Sequence, residues 1–357
     1  MVSLEEYLLF MFSMKGVGRR VNMKHILEKV ERDLKIKDEN LVEETVRKLV
    51  NSGLMEEKKG LFGITPKGKE MFDKKFKSLE KSLESVNRAW VIVYKAKQYY
   101  PLVAETVLEF CKNRYVGFYA LFTEKRFFRR DFRGKKIVLN SVKDLLYFIN
   151  IHYIDVIPCV HRIGEERPDW LVVDVDAGLE VSWGDVKNVT KTCYMIMKEL
   201  GLNPCIKFSG SRGFQIWSLI QDFEFPEEYE PLPLKGGSKR KKNYFTLFSD
   251  FVRVIQREVD SRVPGKTISD LGPKERRKDK ILLDPSSMKP MGLVRAPYGL
   301  HSKTGLISLP ISIKELDEFE PENASVEKVL ERYKKKGNEF ILKPANPSKL
   351  LSLLLEK

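Results

Sequence analysis

Residues 170–178 read WLVVDVDAG, and two acids, Asp174 and Asp176, stand one residue apart inside an apolar run. In an extended strand alternate residues share a face, so both carboxylates point to the same side. Neighbouring like charges repel and resist burial. A divalent cation reverses both penalties, because hard oxygen ligands suit Mg²⁺ or Mn²⁺. A strand that ends here with two solvated or salt-bridged acids satisfies the same pattern. Residues 206–217, IKFSGSRGFQIW, read as strand, Ser/Gly turn, strand. Ser209, Ser211 and Arg212 offer hydroxyl and guanidinium donors, and the small residues let phosphate oxygens approach backbone N–H groups, a cradle for a triphosphate. Taken alone, this run reads more simply as a hairpin with glycine in its turn. A third acid, Asp284, follows the apolar 281–283. Behind it come Arg295, His301, Lys303 and a Thr-Gly turn.

The elements that must position these groups begin near residue 113. Short β-rich runs at 116–122, 154–160, 170–177, 205–210, 214–220 and 280–284 alternate with helical stretches, which predicts an α+β domain over 113–345. Residues 184–200 carry Val186, Val189, Tyr194, Met197 and Leu200 at helical spacing, a helix that packs on the sheet. Residues 226–242 are too rich in Pro, Gly and Lys for an element and read as an exposed basic loop. Arg126, Arg129 and Arg130 interleave with Phe127 and Phe128, a pattern suited to stacking and backbone contact with a single strand of DNA. A helix or strand that buries the two phenylalanines is the preferred reading.

Upstream, apolar spacing predicts helices at 4–14, 23–30 and 41–50, then two short extended runs around Lys58-Lys59-Gly60 and a new helix from Pro66. This order over residues 1–75 resembles a winged helix-turn-helix domain. In such domains the third helix, here near 39–51, enters a major groove while the hairpin touches backbone. That helix is no more basic than acidic, so contact with DNA and contact with protein both stay open. Residues 76–112 read as a basic helical connector.

The chain has 357 residues, 42% hydrophobic, enough for one large domain and a small one, and a formal net charge of +14. Such an excess of Lys and Arg suits a polyanionic partner, nucleic acid or nucleotide. Cys111, Cys159, Cys193 and Cys205 have no paired spacing, so neither a disulfide framework nor a zinc site is expected. No apolar stretch reaches membrane-spanning length and Glu5-Glu6 spoils a signal peptide, so a cytoplasmic protein without membrane contact is expected.

The acid pair on a strand, the Ser-Gly-x-Arg-Gly hairpin, and the strand-terminal Asp284 followed by RAPYGLHSKTGLISLP occur in one order over about 115–310. This set resembles the signature motifs of the archaeo-eukaryotic primase superfamily, most closely the small, catalytic subunit of DNA primase. The resemblance implies that superfamily's mixed-sheet catalytic fold and template-directed synthesis of primers, or primer extension, on single-stranded DNA from nucleoside triphosphates. It implies Asp174, Asp176 and Asp284 as catalytic residues that hold Mg²⁺ or Mn²⁺. Ser209, Ser211, Arg212, Arg295 and His301 fall where the family grips the nucleotide, with Lys303, Tyr298 and Gly299 shaping the loop. Ser211 stands where a further basic residue is common. Gln215 stands where the family has histidine; an amide carries no charge, so weaker triphosphate binding is expected and catalysis is put in question. A primase large subunit or another replication protein is an implied partner. A gap-filling polymerase of end joining, or a non-catalytic DNA-binding paralogue, fits the same motifs.

Overall fold

The computed structural model describes residues 2–122, 125–233, 239–268 and 278–356. The chain divides into two compact units, 1–98 with 121–126, and 99–120 with 127–357. In the first unit, helix α1 (Leu4–Lys15) is apolar around its whole circumference and is stable only when surrounded. Tyr7 through Met14 are accordingly buried. Ser3 and Glu6 close its start by a reciprocal capping box. The short strand β1 (Val21–Asn22) precedes α2 (Met23–Leu34) and α3 (Glu39–Asn51), whose apolar faces bury Ile26, Val30, Val42, Val46 and Leu49. Strands β2 (Met55–Lys58) and β3 (Leu61–Ile64) form the expected hairpin. β1 completes a sheet of order β1-β3-β2, pairing Val21 with Phe62. Two residues are too few to display a period, which is why β1 was not foreseen.

Helix α4 (Pro66–Glu109) covers most of the stretch read as a connector, and the division between units falls inside it. It is broken at Asn87, whose backbone is extended (φ −156°, ψ 83°). The Asn87 Oδ1 accepts the Trp90 N–H at 3.1 Å, capping the second half. Its Nδ2 donates to Asp33 at 3.3 Å. The halves fold back on each other, with Phe76 and Tyr94 rings 4.4 Å apart and Lys95 on Glu80 at 2.7 Å.

Further along the chain, β4 (Val116–Phe122), β5 (Lys125–Arg129) and β8 (Tyr153–Pro158) form a sheet of order β5-β4-β8; the hairpin β6 (Asp131–Phe132) and β7 (Lys135–Lys136) and helix α5 (Val142–Asn150) lie between β5 and β8 in the chain. The larger sheet draws on β9 (Trp170–Ala177), β10 (Cys205–Phe208), β11 (Phe214–Ile220), β12 (Thr267–Ile268), β13 (Ile281–Asp284), β14 (Pro310–Ile311) and β15 (Pro344–Ala345). Its order is β12-β13-β9-β11-β10-β14, with β15 beside the end of β11. Helix α6 (Trp183–Glu199) covers one face of that sheet, where Trp183 stacks on Phe214 at 5.1 Å; α7 (Tyr244–Arg262) packs on β9 and β13. Leu171, Val173, Val175 and Ile216 are buried there, and β9 and β11 send their intervening residues to the opposite face. Helices α8 (Val326–Lys336) and α9 (Ser348–Leu355) close the chain. Among the described residues no helix is long and apolar enough to cross a membrane.

The segment 226–242 forms no helix or strand in its described part; 234–238 lie outside the described residues. It is less exposed than expected. Tyr229 is fully buried and donates to Asp250 at 2.6 Å, and Arg240 pairs with the same carboxylate. Hydrophobic burial of one tyrosine and a buried ion pair thus pin a segment whose composition reads only as loop.

Register between β9 and β11 depends on Gly213, since a Cβ there would stand 1.9 Å from the Val175 carbonyl oxygen. Gly213→Ala is therefore expected to destabilise the protein by about 1–3 kcal/mol, the usual range for overpacking. Urea unfolding checks this; an unchanged midpoint would show that the strands can part there without cost.

Candidate active site

Three antiparallel pairings bring the candidate groups together. Asp284 on β13 stands opposite Asp174 on β9, Asp174 opposite Gln215 on β11, and Gln215 opposite Lys207 on β10. Directly paired residues in a sheet share a face, so Asp284, Asp174, Gln215 and Lys207 form one row across four strands, on the side away from Trp183. Asp176, two residues along β9, shares that face and stands opposite Leu282.

A cavity of about 360 Å³ opens over this row. Asp174, Gln215 and Asp284 line it from the large sheet, Tyr119, Phe128 and Ile157 from the small one, and Ser286, Ser287, Lys289 and Arg295 from the segment after β13. That segment runs along β8: the Val294 N–H donates to Pro158 O and the Ala296 N–H to Val156 O, each at 3.0 Å. The alternation carries Arg295 inward. Gly117 makes room for this closure, because a Cβ would fall 2.9 Å from Leu293 and 3.0 Å from Phe128.

Arg295 is held by Asp155, a fully buried carboxylate on β8. Its Nε donates to one Asp155 oxygen at 2.7 Å and its Nη2 to the other at 3.0 Å, a bidentate clamp. Ser302 adds its N–H and hydroxyl to the same carboxylate, at 3.1 and 3.0 Å. Burial alone would raise Asp155, but Arg295, His301 and Ser302 more than offset it and hold the carboxyl below its ordinary range. Arg295 also donates to Ser209 O at 2.7 Å, and Thr304 Oγ1 donates to Gly210 O at 2.6 Å. Gly210, at φ +87°, would bring a Cβ 2.8 Å from that of His301. The Ser-Gly turn and the His-containing loop are thereby stitched together. His301 is buried, and its Nδ1 accepts from the Lys303 and Thr304 N–H groups at 3.3 and 3.2 Å. In the neutral ring that leaves the proton on Nε2.

The electrostatics of the row are unfavourable to charge on Asp174. Burial, Asp176 and Asp284 raise it from 3.8 to about 7, although Lys207 and a hydrogen bond from Gln215 pull the other way. Lys207 is fully buried, donates to Ser308 Oγ at 2.7 Å, and is pushed well below the ordinary lysine range by burial and by Arg295. The Gln215 Oε1 is buried without a partner. Asp284 accepts the Ser286 N–H at 2.8 Å. The three acids supply hard oxygen donors of the kind Mg²⁺ and Mn²⁺ take, and their mutual repulsion is the penalty that such a cation removes. As the side chains stand they do not converge: among the described residues no group of three or more His, Cys, Asp or Glu is placed to hold a metal ion.

Asp174, Asp284, Gln215 and Arg295 thus line one cavity, while Asp176, Ser209, Ser211, Arg212 and His301 lie outside its lining. Ser209 and His301 join it through their contacts with Arg295 and Gly210; Arg212 is exposed at the turn. Sequence reasoning missed Asp155 and Lys207. Both sit in apolar strand runs, and a charged residue in such a run was the available signal. The preferred reading of 126–130 is corrected: this stretch is mostly an exposed edge strand, Phe128 stands 36% exposed, and its ring lines the cavity. Phe127 is half-buried and the Phe128 ring stands 5.2 Å from that of Tyr119, so the two aromatics are partly covered and do not form a core.

The model of the family described as LigD, primase-polymerase domain, matches residues 110–340. The multifunctional non-homologous end joining protein LigD of Pseudomonas aeruginosa is 26% identical over 159 residues, 44% of this chain and 16% of that protein. The DNA primase small subunit PriS of Pyrobaculum aerophilum is 30% identical over 145 residues, 37% of this chain and 43% of that one. The chain therefore spans less than half the length of either relative. The polymerase domain from Mycobacterium tuberculosis Ligase D, solved in complex with DNA, superposes with a TM-score of 0.56 at 17% identity, covering 68% of this chain and 88% of that one. At that identity the likeness is one of fold, and it agrees with the α+β architecture.

Because the folded state binds the Asp174 proton more tightly than the unfolded chain does, its contribution is fully present below pH 4 and is lost as pH rises through about 7. In chelator, the wild type is expected to lose on the order of 3 kcal/mol of stability between pH 5 and 8, and Asp174→Asn to remove most of that loss. Denaturant unfolding at both pH values decides; equal losses in the two proteins would place the like-charge strain elsewhere.

Proposed function

The chain belongs to the LigD primase-polymerase domain family, and from that premise we propose that the cavity between the two sheets performs metal-dependent, template-directed nucleotidyl transfer on single-stranded DNA. The observation that carries this reading is the cross-strand row Asp284, Asp174, Gln215 and Lys207 facing Arg295. Asp174, Asp176 and Asp284 would hold Mg²⁺ or Mn²⁺. Bound there, the cation supplies a lowered pKa to the attacking 3′-hydroxyl and charge neutralisation to the leaving pyrophosphate. The rest of the work is positioning and electrostatics. Ser209, Ser211 and Arg212 cradle the triphosphate of the incoming nucleotide. Arg295, its two-pronged bond to Asp155 leaving it little freedom, sets positive charge over the cavity without reorganising. His301 offers an Nε2–H donor. Gln215 hydrogen-bonds Asp174 and lends no charge, so it orients the acid without adding to phosphate binding. The exposed Arg126 and Arg129, and the half-buried Arg130 that lines the cavity, with Phe127 and Phe128 suit a single-stranded template. The order of helices and strands over 1–75 supports a winged-helix-like domain, followed by a connector over 76–112 and the catalytic domain over 113–345.

Primer synthesis is the first form of the reading. Gap filling in end joining is the second, favoured by the family match. Gln215 favours a DNA-binding paralogue without turnover. Purified protein with single-stranded DNA, Mn²⁺ or Mg²⁺ and labelled nucleotides is expected to make products, and Asp174→Ala or Asp284→Ala to cut them by at least about 100-fold. Products without an annealed primer support primase action, and products only with a primer support the repair polymerase. DNA binding with no incorporation under either metal would leave only the paralogue. Gln215→His is expected to tighten nucleotide binding, read by fluorescent-nucleotide titration; unchanged or weaker binding would show that this position does not reach the phosphates.

A further inference from the structure

The first unit carries a cluster of cations that the polymerase reading does not use. Lys15 closes α1, and Arg19 follows the Gly16-Val17-Gly18 turn. Both glycines have positive φ, and nothing lies within 4 Å of where their Cβ atoms would stand, so the turn opens outward. His25 and Lys29 are four residues apart on α2 and share a face. The Lys29 ammonium stands 5.1 Å and the Arg32 guanidinium 5.5 Å from the centre of the Trp90 ring. Lys97 Nζ donates to the Met14 carbonyl, in the last turn of α1, at 2.7 Å. The His25 Nε2 is buried with no hydrogen-bond partner.

Carboxylates balance these groups only in part. Asp33, the acid beside Lys29, is engaged by Tyr7 at 2.6 Å, by Arg32 at 2.7 Å and by Asn87 at 3.3 Å. Glu28 acts on His25 and, with Asp33, on Lys29, while Arg19 acts on Lys15 and both Arg19 and Lys15 act on Lys97. Burial first, then Arg19 and Lys15, push Lys97 down to about 8. Burial and neighbouring cations lower Lys15, His25 and Lys29 as well. The exposed side of α3 differs: Glu39, Glu43 and Glu44 there outnumber Arg47 and Lys48.

We infer that Lys15, Arg19, His25, Lys29 and Lys97 form a binding site for the phosphates of a DNA backbone, and that the first unit meets DNA through this surface and not through α3. The cations come from the end of α1, the glycine turn, α2 and α4, which suits successive phosphates along a strand more than one enclosed anion. Neutralising them relieves a repulsion built into the folded unit. The site stands apart from catalysis, because binding there needs neither metal nor nucleotide.

The test uses the full chain in chelator without nucleotide, a fluorescent DNA duplex, and anisotropy titrations over a range of salt. Lys15→Gln with Arg19→Gln is expected to weaken binding about tenfold at moderate salt and to reduce the log–log salt slope by roughly 2, as loss of two phosphate contacts requires. Arg47→Gln with Lys48→Gln, the same change in charge on α3, is expected to leave the slope unchanged. Lys29→Gln serves as a second variant should the first fail to fold, with a slope reduction of about 1. Unchanged slopes in the cluster variants, or an equal fall in the α3 variant, would overturn the inference. So would a melting temperature raised by inorganic phosphate in the wild type alone while duplex binding is the same in all variants, the outcome for a site that takes a free anion.

Discussion

The site hangs on one constraint, the antiparallel register that sets Asp174 between Asp284 on one side and Gln215 on the other. Two carboxylates directly opposite in a sheet repel, and burial sharpens the repulsion. The structure tolerates this because the rest of the sheet does not depend on those residues. The face bearing Val173, Val175, Ile216 and Phe214 is fully buried and provides the cohesion. Gly213 permits the approach of β11 to β9 that puts the row in register. A one-residue slip would move Asp174 into the apolar face, a cost large enough to keep the register single.

A second buried charge organises the opposite wall. Asp155 receives the forked Arg295 guanidinium and two donors from Ser302, so its oxygens are satisfied and its charge is paired. Removing either partner would leave an uncompensated ion in the interior, which is why such pairs act as anchors even where they add little net stability. Through Arg295 the anchor reaches Ser209, and the Thr304 hydroxyl ties the His301 loop to Gly210 in the Ser-Gly turn. The Arg295 guanidinium is thus fixed at the cavity by its own partners.

The two units treat surplus positive charge differently. Arg295 is answered by a buried carboxylate of its own, whereas Lys97 donates to the Met14 carbonyl and is acted on by the positive charges of Arg19 and Lys15. A net charge of +14 on the whole chain does not distinguish these cases.

The sequence by itself determined most of the elements and the identity of the acids. Strand runs at 116–122, 170–177, 205–208 and 214–220 and the helix near 184–199 are local patterns of alternation or helical spacing, and periodicity is read directly from residue order. The ordered motifs around Asp174, Ser209 and Asp284 were legible through their resemblance to the primase superfamily, since each motif is a short run of consecutive residues. Tertiary structure decided what depends on distant residues. Asp155 and Lys207 look like stray charges in apolar strands until Arg295 and Ser308, more than 100 positions away, come to meet them. Phe127 and Phe128 read as core residues until β5 proves to be an edge. The break at Asn87 depends on Asp33 and Trp90, and no helix-breaking residue marks it. Local preference is encoded along the chain, but the partner that satisfies a buried charge or leaves an aromatic uncovered is chosen by packing.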